Sequence, residues 1–121
     1  MVKLLVVDDD REVTDSIVKF LNMTGFEARS AYEGHEAIKL IKQDNPDCVL
    51  LDIQLPGTMS GVDVLDEIKS MDGDTKVVMI TGFVEEETEL MCRQHGVDGY
   101  IMKPLDLQNI LDVVTGLTKG K

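Results

Sequence analysis

Five short runs rich in β-branched residues recur along the chain, at residues 3–7, 26–31, 47–51, 76–80 and 99–102, and a longer segment with helical spacing follows each. Runs such as Leu4-Leu5-Val6-Val7 and Val49-Leu50-Leu51 are apolar at successive positions, not alternate ones. A strand written this way has no face left for water. It suits a parallel sheet covered by helices on both sides. In the intervening segments Val13, Ile17, Phe20 and Leu21 line one face, then Ala37, Ile38 and Ile41, then Val64, Leu65 and Ile68. The fourth stripe is weaker, with Leu90 and Met91, and the fifth is clear, with Leu107, Ile110, Leu111, Val114 and Leu117. Gly25, Gly34, Gly73, Gly82, Gly96 and Gly99 fall at the joints. Asn45-Pro46 closes the second helix, because a residue before proline resists helical geometry. The order is (βα)₅, an α/β chain with a doubly wound five-stranded parallel sheet. Residues 1–121 form one domain, with no linker, internal repeat or low-complexity tract to divide them.

With 43% hydrophobic residues the chain can bury a core. No apolar run reaches membrane-spanning length, and Met1-Val2-Lys3-Leu4 lacks the layout of a signal peptide, so the expectation is a cytoplasmic protein without membrane contact. The net charge of −11 repels phosphate backbones and argues against direct binding of nucleic acid. Such an excess of acid serves solubility, a divalent cation or a basic partner, and only the placement of the acids decides. Cys48 and Cys92 have no neighbouring Cys or paired His and read as small hydrophobes.

Parallel strands bring their C-terminal ends to one edge of the sheet, where ligands bind in open α/β folds. Asp8, Asp9 and Asp10 follow the first run, Asp52 ends the third, Thr81 and Gly82 end the fourth, and Lys103-Pro104 ends the fifth. The second ends blandly in Tyr32-Glu33. Crowded carboxylates repel one another and require protons or a cation. Hard oxygen ligands suit Mg²⁺, with Mn²⁺ as a substitute. A lysine and a threonine hydroxyl beside the metal are the groups that hold a phosphoryl oxygen. A carboxylate is a competent nucleophile for phosphoryl transfer, giving an acyl phosphate. Asp52 stands alone at the end of the central strand and is the nucleophile. The adjacent Asp8 and Asp9 are better used on the cation.

These residues resemble the receiver domains of response regulators in two-component signalling. The likeness rests on Leu4-Leu5-Val6-Val7-Asp8-Asp9-Asp10, Val49-Leu50-Leu51-Asp52-Ile53-Gln54-Leu55-Pro56-Gly57, Val78-Met79-Ile80-Thr81-Gly82 and Gly99-Tyr100-Ile101-Met102-Lys103-Pro104, four motifs in order over essentially the whole chain. The resemblance implies a flavodoxin-like sheet of order 2-1-3-4-5. It implies that Asp52 is phosphorylated by a sensor histidine kinase or a histidine phosphotransfer protein. Asp9 would bind Mg²⁺ directly and Asp8 through water, with Asp52 and the backbone carbonyl of Gln54 completing the protein ligands. Thr81 and Lys103 would each take a phosphoryl oxygen, Pro104 would follow a cis bond, and Tyr100 would be the rotameric switch. The fourth helix, fifth strand and fifth helix would form the output face, a surface also suited to a dimer on phosphorylation. The protein would catalyse only its own phosphorylation and dephosphorylation.

Two departures stand out. The stretch from Leu55-Pro56-Gly57 to Gly61 carries one residue more than similar receivers have, which alters the approach to the third helix and partner docking. Gln54 and Phe83 occupy the positions that tune phosphate lifetime in the family. A bulky Phe83 shields the acyl phosphate from water and predicts slow self-hydrolysis; an unchanged dephosphorylation rate in Phe83→Glu would refute this.

Asp10 is expected to cap the first helix. His35 and His95 read as structural or solvent-facing. Glu85, Glu86, Glu87 and Glu89 suit the start of the fourth helix and could also select a basic partner. The seven methionines read as core filler. Three competing functions fare worse. A haloacid-dehalogenase-type phosphatase needs an acid two residues after its nucleophile, where this chain has Gln54. A phosphate-independent interaction module would have lost one of the key acids or the lysine. Flavin binding would need a glycine- and hydroxyl-rich loop where the aspartates stand. The resemblance leaves downstream partners open, including whether an output domain follows residue 121.

Overall fold

The computed structural model describes residues 1–71, 73–82 and 85–121. Strands β1 (Lys3–Val7), β2 (Glu27–Ala31), β3 (Cys48–Asp52), β4 (Lys76–Thr81) and β5 (Gly99–Met102) alternate with helices α1 (Arg11–Met23), α2 (Gly34–Asp44), α3 (Gly61–Ser70), α4 (Glu86–Gln94) and α5 (Leu107–Leu117). All pairings are parallel, in the order β2-β1-β3-β4-β5.

Strand side chains alternate between the two sheet faces, and this sorts the core into two layers. Leu5, Val7, Val49, Leu51, Val77 and Met79 point to one face and pack under α2, α3 and α4 through Ala37, Ile38, Ile41, Val64, Leu65, Ile68 and Cys92. Leu4, Val6, Cys48, Leu50, Val78 and Ile80 point to the other, under Ile17 and Leu21 of α1 and Ile110 and Val114 of α5. Every residue of β3 is buried. The two cysteines lie in different layers, both buried as free thiols, so the sheet itself keeps them apart.

The strand boundaries differ slightly from those expected. Phe26 belongs to the close of α1: its N–H donates to the Leu21 carbonyl while Gly25 takes φ +99°, the left-handed conformation that ends helices. Asp52 and Thr81 are the last residues of their strands, as expected, while β3 begins at Cys48 and not at Asp47. Asn45 caps α2 in the left-handed region at φ 48°, just before Pro46.

Several expected core positions are corrected. On α1 the inward position beside Ile17 belongs to Thr14, and Val13 faces solvent. On α4 Leu90 is 56% exposed and Met91 is exposed too, while Cys92 alone is fully inward. Leu107 at the start of α5 is also exposed. Of the methionines, Met79 fills the core and Met59 and Met71 pack at its edge, but Met1, Met23, Met91 and Met102 are exposed. Among the described residues, no helix is long and apolar enough to cross a membrane.

Candidate acidic phosphoacceptor site

The register sets Val7 beside Leu51, Asp52 beside Ile80 and Thr81 beside Met102. The loops after β1, β3, β4 and β5 therefore converge at one edge. Asp8, Asp9, Asp52, Gln54, Thr81 and Lys103 share an open depression there. Asp10 caps α1, its carboxylate accepting the Val13 N–H at 3.2 Å. Asp8 turns inward and is 1% exposed. Its Oδ1 accepts the Asp10 N–H at 3.1 Å, and its Oδ2 lies 3.0 Å from the Lys103 ammonium. Asp52 is 5% exposed; its Oδ1 accepts the Gln54 N–H at 3.1 Å and its Oδ2 the Lys103 Nζ at 3.2 Å. Asp9 is exposed to solvent. One carboxylate oxygen from each of Asp8, Asp9 and Asp52 lies within 4.8 Å of the others, a grouping able to hold a metal ion.

Lys103 thus serves two buried carboxylates at once. Burial pushes the Asp8 carboxyl up, but the Asp10 N–H and Lys103 outweigh it and hold the group below its ordinary value. Asp52 has fewer donors. Burial, and then the Asp8 charge, push it up to about 6 against the opposing Gln54 N–H and Lys103. Burial lowers Lys103, yet its hydrogen bond to Asp8 and the charge of Asp52 raise it on balance. Of the two carboxyls, Asp52 is the one held above its ordinary value, because it is buried beside the Asp8 charge with fewer donors.

Thr81, 1% exposed, ends β4, and its carbonyl accepts the Lys103 N–H at 2.7 Å. That bond fixes where the lysine stem leaves the strand, and the Lys103–Pro104 bond beyond it is cis. Tyr100 lies outside the depression, on β5 beside Met79. Its ring packs at the edge of the core with Arg93 5.9 Å from its centroid, and its buried hydroxyl has no hydrogen-bond partner among the described residues. Phe83 lies outside the described residues.

The loop after Asp52 is anchored along its length. Ile53 N–H donates to Ile80, and Gly61 N–H donates to Ile53 at 2.8 Å. Gly61 has no room for a side chain: a Cβ would overlap the Asp52 carbonyl oxygen and lie 2.6 Å from the Ile53 Cα. Ser60 and Asp63 form a reciprocal capping box at the start of α3. Further along the loop, Met59 covers Gly34 of α2 and Thr58 meets His35 Nε2 at 2.9 Å. His95 pairs with Asp66 at 3.1 Å. The end of β2 is less bland than expected, since Glu33 accepts the Glu36 N–H and Glu36 accepts the Tyr32 N–H, capping α2. Sequence reasoning passed over Thr14, whose buried hydroxyl meets the acidic loop. Its one signal was a hydroxyl beside Ile17 on an otherwise apolar face.

The family model described as "Response regulator receiver domain" matches residues 4–115. The chain belongs to this family. Among curated proteins, this receiver is 32% identical over 119 residues to the transcriptional regulatory protein PrrA of Mycobacterium tuberculosis, covering 98% of this chain and 51% of that one. It is 34% identical over 110 residues to the response regulator MprA of Mycolicibacterium vanbaalenii, covering 91% of this chain and 47% of that one. The receiver spans about half the length of these relatives. Among solved structures it superposes on a CheY-like receiver domain protein from Methanospirillum hungatei with a TM-score of 0.91 at 29% identity, covering 96% and 92% of the two chains. It matches the receiver domain of NtrX from Brucella abortus with a TM-score of 0.88 at 32% identity, covering 98% and 99%. These likenesses place the receiver with two-component response regulators, not with typical enzymes, and a phosphate-accepting role is consistent with them.

Proposed function

We propose that Asp52 is the phosphoacceptor of this receiver, in a Mg²⁺-dependent reaction, with a sensor histidine kinase or histidine phosphotransfer protein as donor. The observation that carries this reading is the convergence of three carboxylates with Lys103 and Thr81 at one sheet edge. The donor set fits a hard cation. It is all oxygen, clustered within 4.8 Å, and its charge is balanced incompletely by one lysine. Asp8, Asp9, Asp52 and the Gln54 carbonyl would hold Mg²⁺ or Mn²⁺. When bound, the ion supplies positive charge against the phosphoryl oxygens.

An Asp52 carboxylate oxygen attacks phosphorus, the phosphorus–nitrogen bond of the donor phosphohistidine breaks, and an acyl phosphate remains. Lys103, already 3.2 Å from Asp52 Oδ2, needs only a small movement to pair with a phosphoryl oxygen. The Thr81 hydroxyl takes another. Water later attacks the same phosphorus, so the receiver catalyses its own phosphorylation and dephosphorylation and no other turnover. Gln54, which lines the depression with Asp52, would tune that hydrolysis, and Phe83 is assigned the shielding role on family resemblance alone.

The new group carries a charge of about −1.5 to −2. Drawing Thr81 toward it would alter the contacts of Tyr100 and reshape the face made by α4, β5 and α5. That face leaves Leu90, Met102 and Leu107 exposed, with Met102 at 53%, a cost a partner or a second receiver would relieve. Residues 1–121 act as one phosphoacceptor domain in the cytoplasm, signalling to a downstream protein target or output domain and not to nucleic acid bound by this domain.

Intact-mass analysis after incubation with acetyl phosphate tests the reading. Wild type should gain one phosphoryl group only with Mg²⁺, and Asp52→Asn should gain none. No adduct on wild type, or an equal adduct on the variant, refutes it.

A further inference from the structure

The geometry points to Thr14 as a positioning residue for the metal-binding loop, acting through the backbone on either side of Asp9. This rests on the proposed Mg²⁺ site. Thr14 is fully buried on the inner face of α1. Its hydroxyl lies 2.7 Å from the Asp10 carbonyl and 3.1 Å from the Asp8 carbonyl. The first contact is the ordinary bond of a helical threonine to the carbonyl four residues back. The second is not, because it reaches six residues back, past the start of the helix, to the loop itself.

The hydroxyl has one hydrogen, shared between the two carbonyls with the shorter contact to Asp10, and so it bridges two peptide groups with Asp9 and Asp10 between them. Asp8 and Asp10 have other anchors. Asp8 holds the Asp10 N–H and Lys103, and Asp10 caps the helix through the Val13 N–H. Asp9 has none: its carboxylate is exposed and makes no hydrogen bond or ion pair among the described residues. The direction in which Asp9 presents its oxygen is therefore set by its backbone. Thr14 holds that backbone from beneath, beside the Asp8 carboxylate that accepts the Asp10 N–H. A wholly apolar residue would suit the layer beside Ile17 and Leu21 better, and would leave the Asp8 carbonyl without this donor.

Groups that orient metal ligands from behind typically contribute ten- to hundredfold to affinity. Thr14 acts through backbone instead of touching a ligand atom, so the expected effect is about tenfold. The test is an amide chemical-shift titration with MgCl₂ on wild type, Thr14→Val and Thr14→Ser. Thr14→Val should bind Mg²⁺ about tenfold more weakly. Its phosphorylation by acetyl phosphate should be slow at limiting Mg²⁺ and recover at saturating Mg²⁺. Thr14→Ser keeps the hydroxyl and should bind like wild type. Equal affinity in wild type and Thr14→Val, or a loss in Thr14→Ser, overturns the role. If the valine variant does not fold, Thr14→Ala takes its place with the same two outcomes. A wild type that shows no Mg²⁺-dependent shifts overturns the metal site itself and this role with it, whereas wild-type binding with an unaffected Thr14→Val overturns only the role.

Discussion

Removing the carboxylate of Asp52, the proposed phosphoacceptor, should make the metal-free protein more stable at neutral pH. Asp52 is buried beside Asp8, and its carboxyl is pushed from the ordinary 3.8 to about 6. At about 1.4 kcal/mol per tenfold, that displacement corresponds to roughly 3 kcal/mol held against folding once Asp52 is ionised. The sign follows from linkage. Between about pH 4 and pH 6 the folded state keeps a proton that the unfolded chain has lost, so stability falls as pH rises through that window. Asp8, held low, works the other way at more acidic pH and gains stability above its unfolded value. Asp52→Asn removes the repulsion but deprives Lys103 of one of its two carboxylates, which returns part of the gain. The net expectation at pH 7.5 in EDTA is about 1–2 kcal/mol of added stability, a Tm rise of roughly 4–8 °C for a domain of this size. At pH 4.5 wild-type Asp52 is already mostly protonated, so the difference should nearly vanish. Mg²⁺ should raise the Tm of wild type more than that of the variant. Thermal denaturation followed by circular dichroism at both pH values, with and without Mg²⁺, measures all of this. A variant less stable than wild type at pH 7.5 in EDTA, or equally stabilised at both pH values, would refute the view that charge repulsion at Asp52 opposes folding.

Other substitutions probe the neighbouring contacts. Lys103→Met strips the cation from two buried carboxylates; urea denaturation should show a loss of about 2–4 kcal/mol at pH 7.5 and a smaller one near pH 5, where protons substitute. Gly61→Ala forces a methyl into the Asp52–Ile53 backbone, which cannot yield as a flexible side chain would, and should lower stability by at least about 2 kcal/mol in the same assay, together with phosphorylation rate. Tyr100→Phe deletes a buried hydroxyl that has no partner among the described residues, so unfolding stability should stay within about 1 kcal/mol of wild type.

The strands and the site were legible for the same reason. A parallel strand buried on both faces has to be apolar throughout, so the first polar residue at its end marks the sheet edge, and Asp8, Asp52 and Thr81 are such residues. Legibility failed where burial is one-sided or narrow. α4 presents a single fully inward side chain, Cys92, and one residue defines no stripe; the adjacent Leu90 and Met91 suggested a face that the helix does not bury. Thr14 was missed because a hydroxyl breaks the apolar pattern by which inward positions are recognised. The displacement of Asp52 also lay beyond the sequence. It depends on which carboxylate receives the Asp10 N–H and the larger share of Lys103, and only the folded loop decides that.

That unequal sharing also bears on how the site could switch. With three carboxylates and one lysine, the metal-free site is short of positive charge, and the shortage falls on the residue proposed to react. A cation relieves it, and the same cation would favour the phosphoryl group that arrives next. Lys103 then has two claims on it, Asp8 at 3.0 Å and the new phosphoryl oxygen, where before it had Asp8 and Asp52. Because its backbone N–H is bonded to Thr81, a shift of the lysine and a shift of the end of β4 are mechanically linked. β4 and β5 pair directly, with Met79 opposite Tyr100 and Thr81 opposite Met102. Under the proposed switch, a phosphoryl group on Asp52 would act on the exposed Met102 and the ring of Tyr100 through this pairing of β4 and β5.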